Sequence, residues 1–193
     1  MLIAITGGIG CGKSTVLKLF KELGAVTISS DGIVHQLLER EDIKEKVKDI
    51  LGKDVISSNG DLDKKKMAEI VFSDPIKRRA LEKLIHPLVF EYIKEIKNRN
   101  EDKIVIAEVP LLFEAKMEGA FNKVITVFSK EELVKRRLLE KGMEICELER
   151  RSSCQLPLNK KIEKADYVID NSSGLSETKG QVTKLWERLK NES

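Results

Sequence analysis

A lysine, two hydroxyl side chains and four glycines crowd together near the start of the chain, in GGIGCGKST from Gly7 to Thr15. Gly7, Gly12, Lys13 and Ser14 satisfy the spacing GxxxxGK[ST], the arrangement that cradles the phosphates of a nucleoside triphosphate. Gly8, Gly10 and Gly12 let the backbone curl until its N–H groups, that of Cys11 among them, point inward at phosphate oxygens. A helix beginning at the same place adds its positive end. Lys13 then reaches the β- and γ-phosphates of ATP as a mobile point charge. The Ser14 hydroxyl is the expected protein ligand for Mg²⁺, and Thr15 faces the α-phosphate side.

Further candidates are scattered along the chain. Asp31 stands just beyond a short apolar run, where a carboxylate can accept a hydroxyl proton, although aspartate is also a preferred helix cap. Glu108 closes the run Ile104-Val105-Ile106-Ala107 and is a candidate for the acidic residue that supports the metal in phosphate-loop proteins; a solvent-facing strand end competes with that role. Glu114 reads as a surface charge. His35 and His86 are the only histidines and are not spaced with other metal ligands, so His35 is expected at the surface and His86 at a turn or helix start before Pro87. Lys135, Arg136, Arg137, Lys141, Arg150 and Arg151 form a basic cluster. Most of them belong to a solvated face, while one or two arginines are suited to close over ATP as a lid.

These groups need a frame. Apolar runs at Leu2 to Ile5, Ala25 to Ile28, Lys103 to Val109, Val124 to Phe128 and Tyr167 to Ile169 alternate with helical stretches. That alternation predicts an α/β fold with a five-stranded parallel sheet, a P-loop NTPase core flanked by helices. After the phosphate loop, Val16, Leu19, Phe20 and Leu23 make a helical stripe that ends at Gly24. Asp42 to Leu51 and Leu62 to Phe72 read as helices around the turn Ser57 to Asp61, and Pro75 and Pro87 are each placed to start another. One domain over 1–193 is expected, with a helical substrate-binding insertion at about 42–100 and a lid at about 130–163.

Composition narrows the partners. Thirty-five basic against thirty-two acidic residues leave a formal charge of only +3, and no basic patch is interleaved with aromatics, so no nucleic-acid partner is expected. No apolar run approaches membrane-spanning length, and Cys11, Cys146 and Cys154 lack the spacing of a disulfide framework or zinc site. A cytoplasmic protein, monomeric or weakly homo-oligomeric, is the expectation.

Beyond the phosphate loop, ISSDGIVHQ at 28–36, IVF at 70–72, HP at 86–87, PLLFE at 110–114, CQLP at 154–157 and ADYVIDN at 165–171 occur in a fixed order over almost the whole length. In these the chain resembles the dephospho-CoA kinase family, and HP, PLLFE and ADYVIDN together are far more specific than the phosphate loop alone. The resemblance implies transfer of phosphate from Mg·ATP to the ribose 3′-hydroxyl of dephospho-CoA. It implies that Asp31 is the general base or hydroxyl-orienting carboxylate and that His86 and Glu108 lie on the substrate side. Asn171 falls at the position expected near the ATP adenine. A gapless match back from Gln155 puts Arg136 on a lid arginine, while a one-residue slip matches Arg137-Leu138 with Lys141; Arg151 and Gln155 keep the lid's later pattern. The family usually carries DAD where this chain has Ser29-Ser30-Asp31, so only the second carboxylate is present. The rival readings are another P-loop kinase for a nucleoside, nucleotide or small alcohol, and a GTP-dependent switch. For the switch, the NKKI segment at 159–162 lacks the aspartate of a guanine-reading element.

Overall fold

A computed structural model describes residues 1–140, 142–144, 148, 150 and 152–192. Lys141, Cys146 and Arg151, named above, lie outside the described residues. The chain divides into two compact units, Met1–Ser29 with Ile96–Ser193, and Ser30–Glu95.

The first unit is built on β1 (Leu2–Gly7), β2 (Val26–Ser29), β3 (Val105–Glu108), β4 (Lys123–Phe128) and β5 (Tyr167–Asp170). All pairings are parallel, in the order β2-β3-β1-β4-β5. Every residue of β1 is buried, as a central strand covered on both faces requires. Helix α1 (Lys13–Glu22) buries Val16, Leu19 and Phe20 of the helical stripe read from the sequence, and Leu17 beside them, while Leu23 is half-buried at the helix end. It ends two residues before Gly24, whose φ of 105° reverses the chain into β2. The ring of Phe20 meets Trp186 edge-on at 6.3 Å and 62°, which joins α1 to the C-terminal helix (Leu175–Asn191). Ile3, Ile5, Ile106, Ile125 and Ile169 complete this core. Burial of each large apolar side chain contributes about 1.5–3 kcal/mol, so the sheet center is the rigid part of the unit.

The second unit is helical: α2 (Ser30–Leu38), α3 (Glu41–Leu51), α4 (Lys64–Ser73) and, apart from its last turn, α5 (Pro75–Asn98). The Asp63 carboxylate caps α4 by accepting from the Lys65 and Lys66 amides at 3.0 and 3.1 Å. One expectation fails here. Pro87 starts no new helix but lies inside α5. It removes only the N–H that would reach the Lys83 carbonyl, and because Pro87 and Lys83 are both exposed, water can take that N–H's place. His86 is therefore a mid-helix residue, half-buried, and not a turn residue. The buried stripe of α5 is Ile85, Val89 and Ile93, while Tyr92 faces outward.

Candidate active site

The phosphate loop is dictated by its glycines. Strand β1 ends at Gly7, and α1 opens after Gly12, which sits in the left-handed region at φ 88°. A Cβ on Gly12 would fall 2.0 Å from the side-chain nitrogen of Asn171, and one on Gly10 about 3 Å from Val134 and Leu138. Loop and neighbors thus interlock through the space that glycine leaves. Gly12→Ala combines a strained φ with a clash that Asn171 must yield to, and is expected to weaken ATP binding by about tenfold or more. Equilibrium binding of a fluorescent ATP analog checks this, and an unchanged affinity would show that the loop is not shaped by Gly12.

Lys13 is buried, and its ammonium donates to the Gly7 and Gly8 carbonyls at 3.3 and 2.9 Å, so it lies across the mouth of its own loop. Ser14 and Thr15 are exposed on the first turn of α1, where helix N–H groups lack intrahelical partners. A cavity of about 370 Å³ opens over this turn. Lys13, Ser14 and Thr15 line it together with Glu108 at the end of β3, Arg137 and Asn171. Gly10 and Gly12 border it, whereas Gly8 and Cys11 border a second cavity behind the loop. Burial pushes the Cys11 thiol up, so it stays protonated and serves as packing.

Helix α6 (Glu131–Glu140) separates the two candidate lid arginines. Val134 and Leu138 pack toward Gly10, and Arg137 shares their face at helical spacing. Arg137 lines the cavity and donates to the Ser129 hydroxyl at 3.3 Å and the Asn171 carbonyl at 3.1 Å. Arg136 does not line the cavity; it is exposed and 3.9 Å from Glu140, at the cavity's rim. The apolar pair Val134 and Leu138 was the available signal for this choice of face.

Asn171, expected beside the adenine, is buried, and its side chain is committed to protein. Its nitrogen donates to the Cys11 carbonyl at 2.9 Å, and its oxygen accepts from the Thr178 hydroxyl at 2.9 Å. Its own carbonyl also accepts from Ser129 at 3.0 Å. It therefore joins the phosphate loop, α6 and the C-terminal helix. Sequence reasoning passed over Ser129, which meets Asn171 from 42 residues away, and Thr178, which meets it across the turn from β5 into the C-terminal helix.

Glu114 corrects the surface reading: its side chain is 18% exposed and pairs at 2.9 Å with Lys161, which is fully buried. In the second unit, Asp31 is exposed in the first turn of α2 rather than capping it. His35 is exposed beside Glu39 and Lys64. Burial lowers the His86 pKa from its usual value near 6.5, against a weaker pull upward from Glu82. The folded state thus holds His86 neutral where the unfolded chain binds a proton. The stabilization is complete above pH 6.5 and is lost as pH falls through 6.5 toward the lowered value. His86→Gln is accordingly expected to flatten the fall in melting temperature between about pH 7 and 5. Parallel melting curves for the two proteins would refute the buried neutral histidine.

Among the described residues no cluster of three or more His, Cys, Asp or Glu could hold a metal ion. No helix among them is long and apolar enough to cross a membrane.

A parallel sheet with a lysine-bearing phosphate loop at the carboxyl end of its central strand, an arginine beside it and a separate helical unit define a P-loop small-molecule kinase. The dephospho-CoA kinase family model matches residues 1–177. The chain belongs to the dephospho-CoA kinase family. It is 40% identical over 189 residues to the dephospho-CoA kinase of Aquifex aeolicus, covering 97% of this chain and 96% of that one. Among solved structures it is similar to a Thermus thermophilus protein, with a TM-score of 0.86 and 32% identity over 98% of this chain and 97% of that one. It is also similar to the dephospho-CoA kinase from Campylobacter jejuni, with a TM-score of 0.72 and 28% identity over 100% of this chain and 98% of that one.

Proposed function

We infer that this chain transfers the γ-phosphoryl group of ATP to the ribose 3′-hydroxyl of dephospho-CoA, giving coenzyme A in the final step of its synthesis. The observation that carries the reading is the family match over residues 1–177 joined to a complete phosphate loop facing a cavity.

The loop amides and the N-terminal turn of α1 hold the phosphates, and Lys13 leaves the Gly7 and Gly8 carbonyls to meet the β- and γ-oxygens. Ser14 and Glu108 offer oxygen donors in the same cavity, which suits a hard cation bound by few protein ligands and by phosphate. They would hold Mg²⁺, which when bound neutralizes phosphate charge. Asp31, two residues past the end of β2, accepts the proton of the attacking hydroxyl or orients it. Arg137, rather than Arg136, screens the charge that shifts during transfer; its support is its place in the cavity lining. His86 contributes to acceptor binding from the helical unit. Asn171 acts on ATP through the phosphate loop that it braces. The reaction needs no nucleic-acid or membrane partner, and a cytoplasmic monomer or weak homo-oligomer suits it.

The test is ATP consumption by purified protein with dephospho-CoA present and absent, with the product's phosphate position read by mass spectrometry and 3′-nucleotidase digestion. Dephospho-CoA-dependent ADP release with a 3′-phosphorylated product is expected. Turnover of a nucleoside monophosphate but not of dephospho-CoA would overturn the acceptor. GTP binding with negligible transfer would overturn the kinase reading.

A further inference from the structure

The PLLFE loop and the NKKI segment, neither of which contributes a group to the phosphate cavity, meet in a buried ionic contact. The Lys161 ammonium, fully buried on helix α7 (Leu158–Glu163), donates to the Pro110 carbonyl at 2.8 Å and lies 2.9 Å from Glu114 Oε1. The same carboxylate oxygen accepts the backbone N–H of Leu156 at 2.6 Å. Two hydroxyls from the sheet tie the contact to the rigid core: Thr126 donates to the Lys161 carbonyl at 3.1 Å and Thr6 to the Pro110 carbonyl at 3.3 Å. Leu156 and Lys161 belong to the return arm of the 130–163 segment, and the next turn brings Leu158 over Gly8, about 3.9 Å from where a Cβ would stand.

Leu158 packs against the core of the first unit, yet the packing around the arm is incomplete. Leu156, Pro157 and Leu158 border a cavity of about 770 Å³, with Gly8 and Val134 also in its lining. A buried charge pair is also a poor source of net stability, since desolvation offsets most of its attraction and apolar residues of similar volume often do as well. What it supplies is a fixed, directional attachment for one backbone N–H.

We propose that Glu114 is a positioning residue for phosphoryl transfer, whose side-chain oxygen, set in place against Lys161, anchors the return arm at Leu156 so that Leu158 holds the phosphate loop in its ATP-binding shape. The proposal deepens the kinase reading and rests on it for the identity of the nucleotide. Its test reads nucleotide binding, which does not depend on the acceptor.

Two double variants separate anchoring from stability. Glu114→Gln with Lys161→Met removes both charges but leaves an amide oxygen for the Leu156 N–H. Glu114→Leu with Lys161→Met removes the acceptor as well. The first is expected to bind ATP within about threefold of the parent and the second about tenfold more weakly, at similar melting temperatures. Equal and parent-like ATP affinity in both folded variants overturns the proposal. Should the leucine variant not fold, amide exchange on the parent protein decides. The Leu156 N–H is expected to exchange at least about tenfold more slowly than the amides of the exposed turn residues Ser58 and Asn59, with and without ATP, and equal rates overturn the anchor. Failure of the acceptor assay alone, with these binding differences intact, would overturn the assigned substrate and leave the anchor standing.

Discussion

Lys13→Met is expected to lower kcat/KM for ATP by about 10³-fold, equivalent to about 4 kcal/mol of transition-state stabilization, with the fold retained. Methionine keeps an unbranched apolar stem in a buried position and removes the charge together with the donors to the Gly7 and Gly8 carbonyls. In the folded protein the ammonium rests on the Gly7 and Gly8 carbonyls at the edge of the cavity. It can therefore turn from two carbonyl oxygens to phosphate oxygens with little reorganization of the loop. A positive charge placed in advance where negative charge shifts during transfer, on a buried side chain, is screened less than one at the surface, which is why its loss costs more than a surface charge would. Steady-state kinetics with a thermal melt of the same sample would decide the matter. A variant that melts like its parent and turns over within about threefold of it would remove Lys13 from the reaction.

Asp31→Asn is expected to reduce kcat by about 10²-fold or more and to leave ATP affinity largely unchanged. The amide matches the carboxylate in shape and can still accept a hydrogen bond, so the change isolates loss of the base and its charge. Asp31 is exposed and stands two residues past the carboxyl end of β2, an edge strand of the parallel sheet. The preceding Ser29 and Ser30 carry no carboxylate, so Asp31 is the one acid in this segment. The expected signature is a fall in kcat without a rise in KM for ATP. Near-normal turnover would exclude Asp31 as the acceptor's base. A rise in KM alone would make it a binding residue.

Some of this was legible before any coordinates. The phosphate loop is local in sequence, a strand, a glycine turn and a helix within about twenty residues, and the conformations it needs are set by residue type at each position. The five strands were legible for a similar reason, because short apolar runs between helical periods have few other ways to be buried. Pro87 misled because a proline's cost depends on the exposure of the carbonyl it leaves unpaired, and exposure is a property of the fold. Arg136 and Arg137 were indistinguishable as letters. They lie on different faces of α6, and the packing of Val134 and Leu138 on Gly10 selects the face that carries Arg137. Glu114 read as a surface charge, and Lys161 was passed over, because each is unremarkable among its sequence neighbors, although Leu158, Lys161 and Ile162 share one face of α7 at helical spacing.

The sequence by itself therefore determined the phosphate chemistry, the parallel α/β class and, through motifs in a fixed order, the family. These depend on backbone conformation and burial period, which neighboring residues set between them. Only the tertiary structure decided the strand order, which arginine reaches the cavity, that Asn171 braces the loop, and that Glu114 meets Lys161. Each of those joins side chains far apart in the chain, and such a contact acquires its energy only when the sheet has brought both partners out of water together.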